Sequence, residues 1–311
     1  MTDVNSDLET KESRDLLRFF AVLVAGTIFF SALLTPLVYY VIRLIADGYD
    51  PWPFSRVYNR VAMGVALIII VVCRRGLSFG KIRTFFITPS FKGAAWMIFA
   101  GFLISSITAL VGLPYVVASG KLVWADRSIA DYLIVVLKVL PAAIIISVIE
   151  EVFFRLIVFL KLCRSMHWLF AAVLTSMLYS VVHFVQPVKQ YVPELSNLMV
   201  GFDYTFTVIA ELFSAALIPA YFGLFLVGMV LAIVLQKTGS IYLCIGLHAG
   251  WVLAMKLARY ATKRTELMEL PPGVNRTYYL ASQWSGYLAI AAVLVVVMLF
   301  LRLGWFKQKT V

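Results

Sequence analysis

Charge is scarce in this 311-residue chain: Asp, Glu, Lys and Arg make up 14% of it, against roughly 25% in soluble proteins. Hydrophobic residues reach 62%, against roughly 45–50%. That balance excludes a soluble globular domain and implies a polytopic membrane protein. Cysteine is also sparse. Cys73, Cys163 and Cys244 are scattered, with neither metal-ligand spacing nor a framework of pairs. The chain lacks Gly-x-Ser-Gly, Gly-x-Gly-Asp and His-Glu-x-x-His, which leaves serine, aspartyl and zincin chemistries without their motifs. It lacks internal repeats, low-complexity stretches and any dividing linker, so residues 1–311 read as one integral membrane domain with a short polar tail over 1–16. The apolar run after that tail is too long for a signal-peptide core and has no small-x-small cleavage site, which predicts an uncleaved first span. The net charge of +11 is spread around apolar segments rather than along one basic stripe, so it reads as membrane anchoring and not as a nucleic-acid surface.

Long apolar runs carry the architecture. About eight membrane helices are expected, at approximately 17–45, 57–73, 93–117, 131–162, 168–185, 206–236, 240–258 and 281–303, giving an all-α transmembrane bundle. The sixth contains Glu211 and Pro219 and is expected to kink or to divide in two. Orientation follows from the loops. Arg74, Arg75, Lys81, Arg83 and Lys92 lie between the second and third helices with no acidic residue among them. Lys161 and Arg164 follow the fourth helix, and Arg302, Lys307 and Lys309 close the chain. All three groups are cytoplasmic if both termini are cytoplasmic. Segment 259–279 opposes this with Arg259, Lys263, Arg264 and Arg276, offset in part by Glu266 and Glu269.

Inside one apolar run the missing charge is concentrated, in Ile149-Glu150-Glu151-Val152-Phe153-Phe154-Arg155. A charge at bilayer depth costs about 2.5–3.5 kcal/mol on insertion scales, so this cluster needs partners or a purpose. Glu151 and Arg155 are four apart and share a helix face, while Glu150 lies about 100° round it. Arg155 is therefore placed to neutralise Glu151, leaving Glu150 for another task. If the fourth and fifth helices turn near Met166-His167, then Glu151 and His183 are equally far from the turn, both about 24 Å deep at about 1.5 Å per residue. A further histidine, His248, lies in Gly246-Leu247-His248-Ala249-Gly250-Trp251 on the seventh helix.

Each part has a plainer reading. A single intramembrane histidine is more often a helix–helix hydrogen-bonding residue. Glu151 with Arg155 is equally well a structural ion pair. His167 beside Trp168 reads as interfacial, and Lys138, Glu211 and Lys256 as snorkelling residues near helix ends or a kink. Two carboxylates and two histidines on three spans, two of them in matching register, are harder to ascribe to packing.

The order and spacing of these residues resemble the CAAX-protease and bacteriocin-processing (CPBP, or Abi) intramembrane proteases, and within them the type II CAAX prenyl endopeptidases. That pattern is Glu-Glu-x-x-x-Arg, then Phe-x-x-x-His, then His-x-x-x-Asn or a hydrophobic variant. Here the first motif is complete in Glu150, Glu151 and Arg155. The second runs from Tyr179 to His183, with tyrosine for phenylalanine. The third runs from His248 to Val252, with valine for asparagine. The resemblance covers Glu150 to about Val252 and implies a protease-like core over approximately 131–258.

What the resemblance implies is hydrolysis of a peptide bond inside a helical bundle. Glu150 would activate water as general base, and His183 would help hold that water. Glu151 would support the site, Arg155 would anchor its charge, and His248 would face the oxygen that becomes negative. Val252 has no side-chain donor, so either another group such as Trp251 replaces it, or activity is weakened or lost. A metal-free mechanism is the favoured expectation. Zinc is the alternative, with Glu150, His183 and His248 as its first shell. The expected partners are the lipid bilayer and a peptide or protein substrate, whether a prenylated CAAX tail, a leader peptide or a membrane protein. The expected place is a bacterial plasma membrane. Two readings of other classes compete: a proton- or ion-coupled transporter using the same charges as a relay, and a non-catalytic bacteriocin self-immunity protein.

Overall fold

Apolar length decides which segments become helices, and local polar residues decide where they begin. The computed structural model describes residues 2–49, 52–73, 90–184, 197, 199–270 and 276–306, with the backbone alone for 2–17 and 276–278. Its helices are α1 (Thr2–Ile45), α2 (Phe54–Val72), α3 (Phe91–Val111), α4 (Leu113–Ala118) and α5 (Ile129–Glu151). A π-helix over Val152–Phe159 continues α5 and passes into α6 (Leu160–Leu162). There follow α7 (Trp168–Val182), α8 (Val200–Leu212), α9 (Ile218–Thr238), α10 (Ile241–Ala261), α11 (Arg276–Ala281) and α12 (Trp284–Arg302). Two short strands, β1 (Leu122–Trp124) and β2 (Thr262–Arg264), pair antiparallel. The all-α polytopic reading is correct.

Seven described helices are long and apolar enough to cross a membrane, and α7 is a shorter apolar helix of 15 residues. It ends at Val182, so His183 lies in a turn just past the helix and not within it, as an apolar run to 185 had suggested. The predicted sixth helix is two pieces. Glu211 sits in the last turn of α8, and Pro219 sits in the first turn of α9, where a missing N–H leaves no helical bond unmade. The start of α5 is fixed by a capping box. Asp131 N–H donates to Ser128 Oγ at 3.2 Å, and Ser128 N–H donates to Asp131 Oδ2 at 3.0 Å. Arg74, Arg75, Lys81 and Arg83, and also Lys307 and Lys309, lie outside the described residues.

The chain forms two compact units. The first comprises Met1–Phe79 with Val181–Leu217. Its core joins Tyr39 of α1, Phe54, Val57 and Tyr58 of α2, and Tyr204 and Val208 of α8. The hydroxyls of Tyr58 and Thr205 are 2.9 Å apart at its polar end.

The second unit comprises Gly80–Ser180 with Ile218–Val311. Its central element is α10, 72% of whose most apolar window is buried, against 17% for α3 and for α12. Small residues bring α10 onto α3. A Cβ on Gly246 would strike the Ile98 carbonyl, and one on Gly101 would lie 2.8 Å from the Leu243 carbonyl. Gly250 backs onto Phe102 and Ser105, and Ser106 Oγ donates to the Gly250 carbonyl at 3.2 Å. A Cβ on Gly228 of α9 would meet Ser176 of α7 at 2.8 Å, and Ser180 Oγ donates to the Tyr221 carbonyl at 2.7 Å. The β1–β2 pair closes the end of α10 onto the loop after α4, an element for which the cationic 259–279 segment gave no sign.

Candidate active site

The glycines that seat α10 against α3 also aim its functional residue. Gly246 and Gly250 are one turn apart, and His248 lies midway, about 200° round the helix from each. With the glycine face on α3, His248 is presented to α5 and the π-helix. There its ring meets both adjacent carboxylates: Nδ1 is 2.9 Å from Glu151 Oε1, and Nε2 is 3.8 Å from Glu150 Oε2.

Glu151 is fully buried and serves two partners. Its Oε2 lies 3.3 Å from Arg155 Nε, a pair in which neither side chain has any exposure. Its Oε1 accepts from the imidazole. An ionised carboxylate only accepts, so Nδ1 carries the hydrogen and the ring tautomer is set. Glu150 differs. Its side chain keeps 26% of its exposure, next to a histidine at 4%. A buried, paired carboxylate thus adjoins a more open one, on the single helical turn where the chain passes from α to π geometry. π segments inside α-helices occur often at functional sites.

The second unit contributes a residue whose ring was legible only as a motif position. Tyr179 of α7 is 2% exposed, and its hydroxyl lies 3.5 Å from His248 Nε2. Its ring packs edge-on against Phe154 at 5.1 Å, and Arg155 Cζ sits over it at 5.5 Å. Phe154–Arg155 and Tyr179 are nearly equidistant in sequence from His167, so the two segments meet in about the register that a turn there predicts. Only the tyrosine-for-phenylalanine change could have signalled the extra hydroxyl.

The structure therefore brings Glu150, Glu151, Arg155 and His248 together. His183 belongs to the first compact unit, in the turn after α7, and is half-buried. Val252 lies one turn after His248 on α10. Trp251 lines an apolar cavity of about 60 Å³ with Leu113, Val227 and Ile290, and its buried N–H has no hydrogen-bond partner among the described residues. His167 is exposed at the start of α7, where its Nδ1 accepts from Leu169 N–H at 3.3 Å. Lys138 and Lys256 are exposed.

Among the described residues, no three His, Cys, Asp or Glu side chains are grouped as metal ligands are. Both Glu151 oxygens and His248 Nδ1 are already engaged with one another or with Arg155.

Residues 132–254 fit the family model described as type II CAAX prenyl endopeptidase Rce1-like. The matched segment runs from the first turn of α5 through most of α10, and so contains every residue of the constellation above. No curated protein and no solved structure matches the chain.

Proposed function

We infer that this chain, whose residues 132–254 match the Rce1-like type II CAAX prenyl endopeptidase model, hydrolyses a peptide bond within the membrane using water activated by Glu150. The observation that carries this reading is the unequal carboxylate pair joined through one imidazole. Glu151 is neutralised by Arg155 and bonded to His248, whereas Glu150 is the more open carboxylate and faces the other ring nitrogen. An arrangement serving stability alone would gain nothing by placing a second carboxylate in the membrane beside the first.

Glu150 takes a proton from water as the water oxygen bonds to the scissile carbonyl carbon. The carbonyl electron pair moves to oxygen, where donors stabilise it. The C–N bond then breaks, and the proton passes from Glu150 to the departing amine. Glu151 holds the His248 ring in one tautomer and orientation, and Arg155 pairs with the other oxygen of Glu151. The substrate class we propose is a prenylated C-terminal CAAX peptide, delivered from the bilayer. No step in this scheme requires a metal.

The test uses purified protein in detergent, without an ion gradient, and a fluorogenic farnesylated CAAX peptide. Glu150→Gln is nearly isosteric and cheaper to bury, so the variant should melt like wild type. Its cleavage rate should fall by about 10²-fold or more. A strong zinc chelator should leave the wild-type rate unchanged. A well-folded Glu150→Gln protein that cleaves as fast as wild type would sink the mechanism, and loss of the wild-type rate on chelation would replace it with a metal-dependent one.

A further inference from the structure

His248 has one ring nitrogen accounted for by Glu151. The other faces two groups of different chemistry. Glu150 Oε2 is 3.8 Å away, beyond hydrogen-bond range, and Tyr179 Oη is 3.5 Å away, at its long end. An ionised carboxylate can only accept, so it suits Nε2 only when that nitrogen carries a proton. A phenol both donates and accepts. It therefore suits Nε2 in either state, donating when the nitrogen is bare and accepting when it is protonated.

We propose that the Tyr179 hydroxyl is a positioning residue of this site, holding His248 Nε2 in place through both protonation states of the ring. The proposal rests on the endopeptidase reading above. The tyrosine is itself held on three sides. Phe154 packs against its ring at 5.1 Å, Arg155 covers it at 5.5 Å, and the imidazole meets it edge-on with centroids 6.0 Å apart. Tyr179 is 2% exposed, and its hydroxyl lies within hydrogen-bond reach of His248 Nε2. Arg155 thereby touches the same histidine by two routes, through Glu151 to Nδ1 and through the Tyr179 ring to Nε2. A hydrogen bond of this length in a substrate-free site is of the kind that tightens when the reacting groups arrive.

A purely structural tyrosine would need only its ring, and phenylalanine keeps the ring. Tyr179→Phe should therefore melt like wild type while Tyr179→Leu, which loses the Phe154 and Arg155 contacts, melts lower. With the farnesylated peptide, Tyr179→Phe should lower kcat by about tenfold, as fits the loss of one hydrogen bond that positions His248, with KM within about twofold. A second readout needs no substrate. The chain has three histidines, so ¹⁵N-histidine labelling gives three rings to assign. Tyr179→Phe should move the His248 Nε2 resonance and leave those of His167 and His183 in place. The proposal is overturned if Tyr179→Phe keeps the wild-type kcat, leaves the His248 resonance unmoved, or destabilises the protein as much as leucine does. Failure of the endopeptidase reading is a separate result, seen as wild-type cleavage by Glu150→Gln.

Discussion

A buried arginine and a buried glutamate four residues apart are only as stable as their pairing. Arg155 and Glu151 have no exposure, and the carboxylate's other oxygen is bonded to a histidine instead of water. Removing one partner of such a pair typically destabilises by about 3–5 kcal/mol, because the remaining charge stays buried. Arg155→Ala is therefore expected to lower the folded yield and the melting temperature in detergent as well as activity. Adding Glu151→Gln to that variant removes the stranded charge and should recover much of the lost melting temperature. Recovery is the informative outcome, since a loss due to vacated volume alone would persist in the double variant. These residues were legible in the sequence because charge is so rare in its apolar runs. The Tyr179 hydroxyl was not, because a single oxygen leaves the hydropathy of α7 unchanged. The His248–Glu151 bond was illegible for another reason: residues 97 positions apart meet only through the packing of α10.

Packing of α10 is a matter of what it lacks. Gly246 and Gly250 let its backbone approach α3, and the atoms facing Gly246 belong to the Ile98 backbone, which cannot rotate away. Gly246→Ala should force the two helices apart, at about 1–3 kcal/mol for an overpacked contact. Since His248 is carried on the same helix, cleavage should fall as well, although residue 246 touches none of the reacting groups. Gly64 on α2 is the control. A Cβ there would meet nothing within 4 Å, so Gly64→Ala should leave melting unchanged or raise it. Equal melting of the two alanine variants would contradict the close-packing account. Apart from α1, whose helix runs back through the polar tail to Thr2, the long apolar helices lie close to where apolar length put them, and the break before α9 could be anticipated from Pro219. The π-helix over Val152–Phe159 could not, because its apolar composition suits an α-helix equally well. The β1–β2 pair is three residues a side, too short to show an alternating pattern.

Those two strands constrain how the whole second unit threads the membrane. Leu122, Val123 and Trp124 pair with Arg264, Lys263 and Thr262, so the two strands lie on one side of the bilayer. Between them run three long spans, Ile129–Leu162, Ala215–Thr238 and Ile241–Ala261. Three crossings would leave the strands on opposite sides. We assign the fourth to α7, the shorter apolar helix, although 15 residues reach only about 22 Å against about 30 Å of hydrocarbon. A local thinning of the bilayer accommodates such a mismatch at modest cost. It follows that Arg164, before α7, and Lys237, at the end of α9, share one side, opposite to Asp126 and Lys263. Lys92 lies in the first turn of α3, which leads to β1, so it falls on the Arg164 side. By the positive-inside tendency we expect that side, which carries Lys161, Arg164 and Lys237, to be cytoplasmic. In a cysteine-free background, single cysteines at Asp126 and Lys263 should react with an impermeant maleimide on intact cells. Cysteines at Arg164 and Lys237 should react only after permeabilisation. Labelling of Arg164 and Lys237 from opposite sides would mean that α7 does not cross, and that the strand pair and the chain's threading are incompatible.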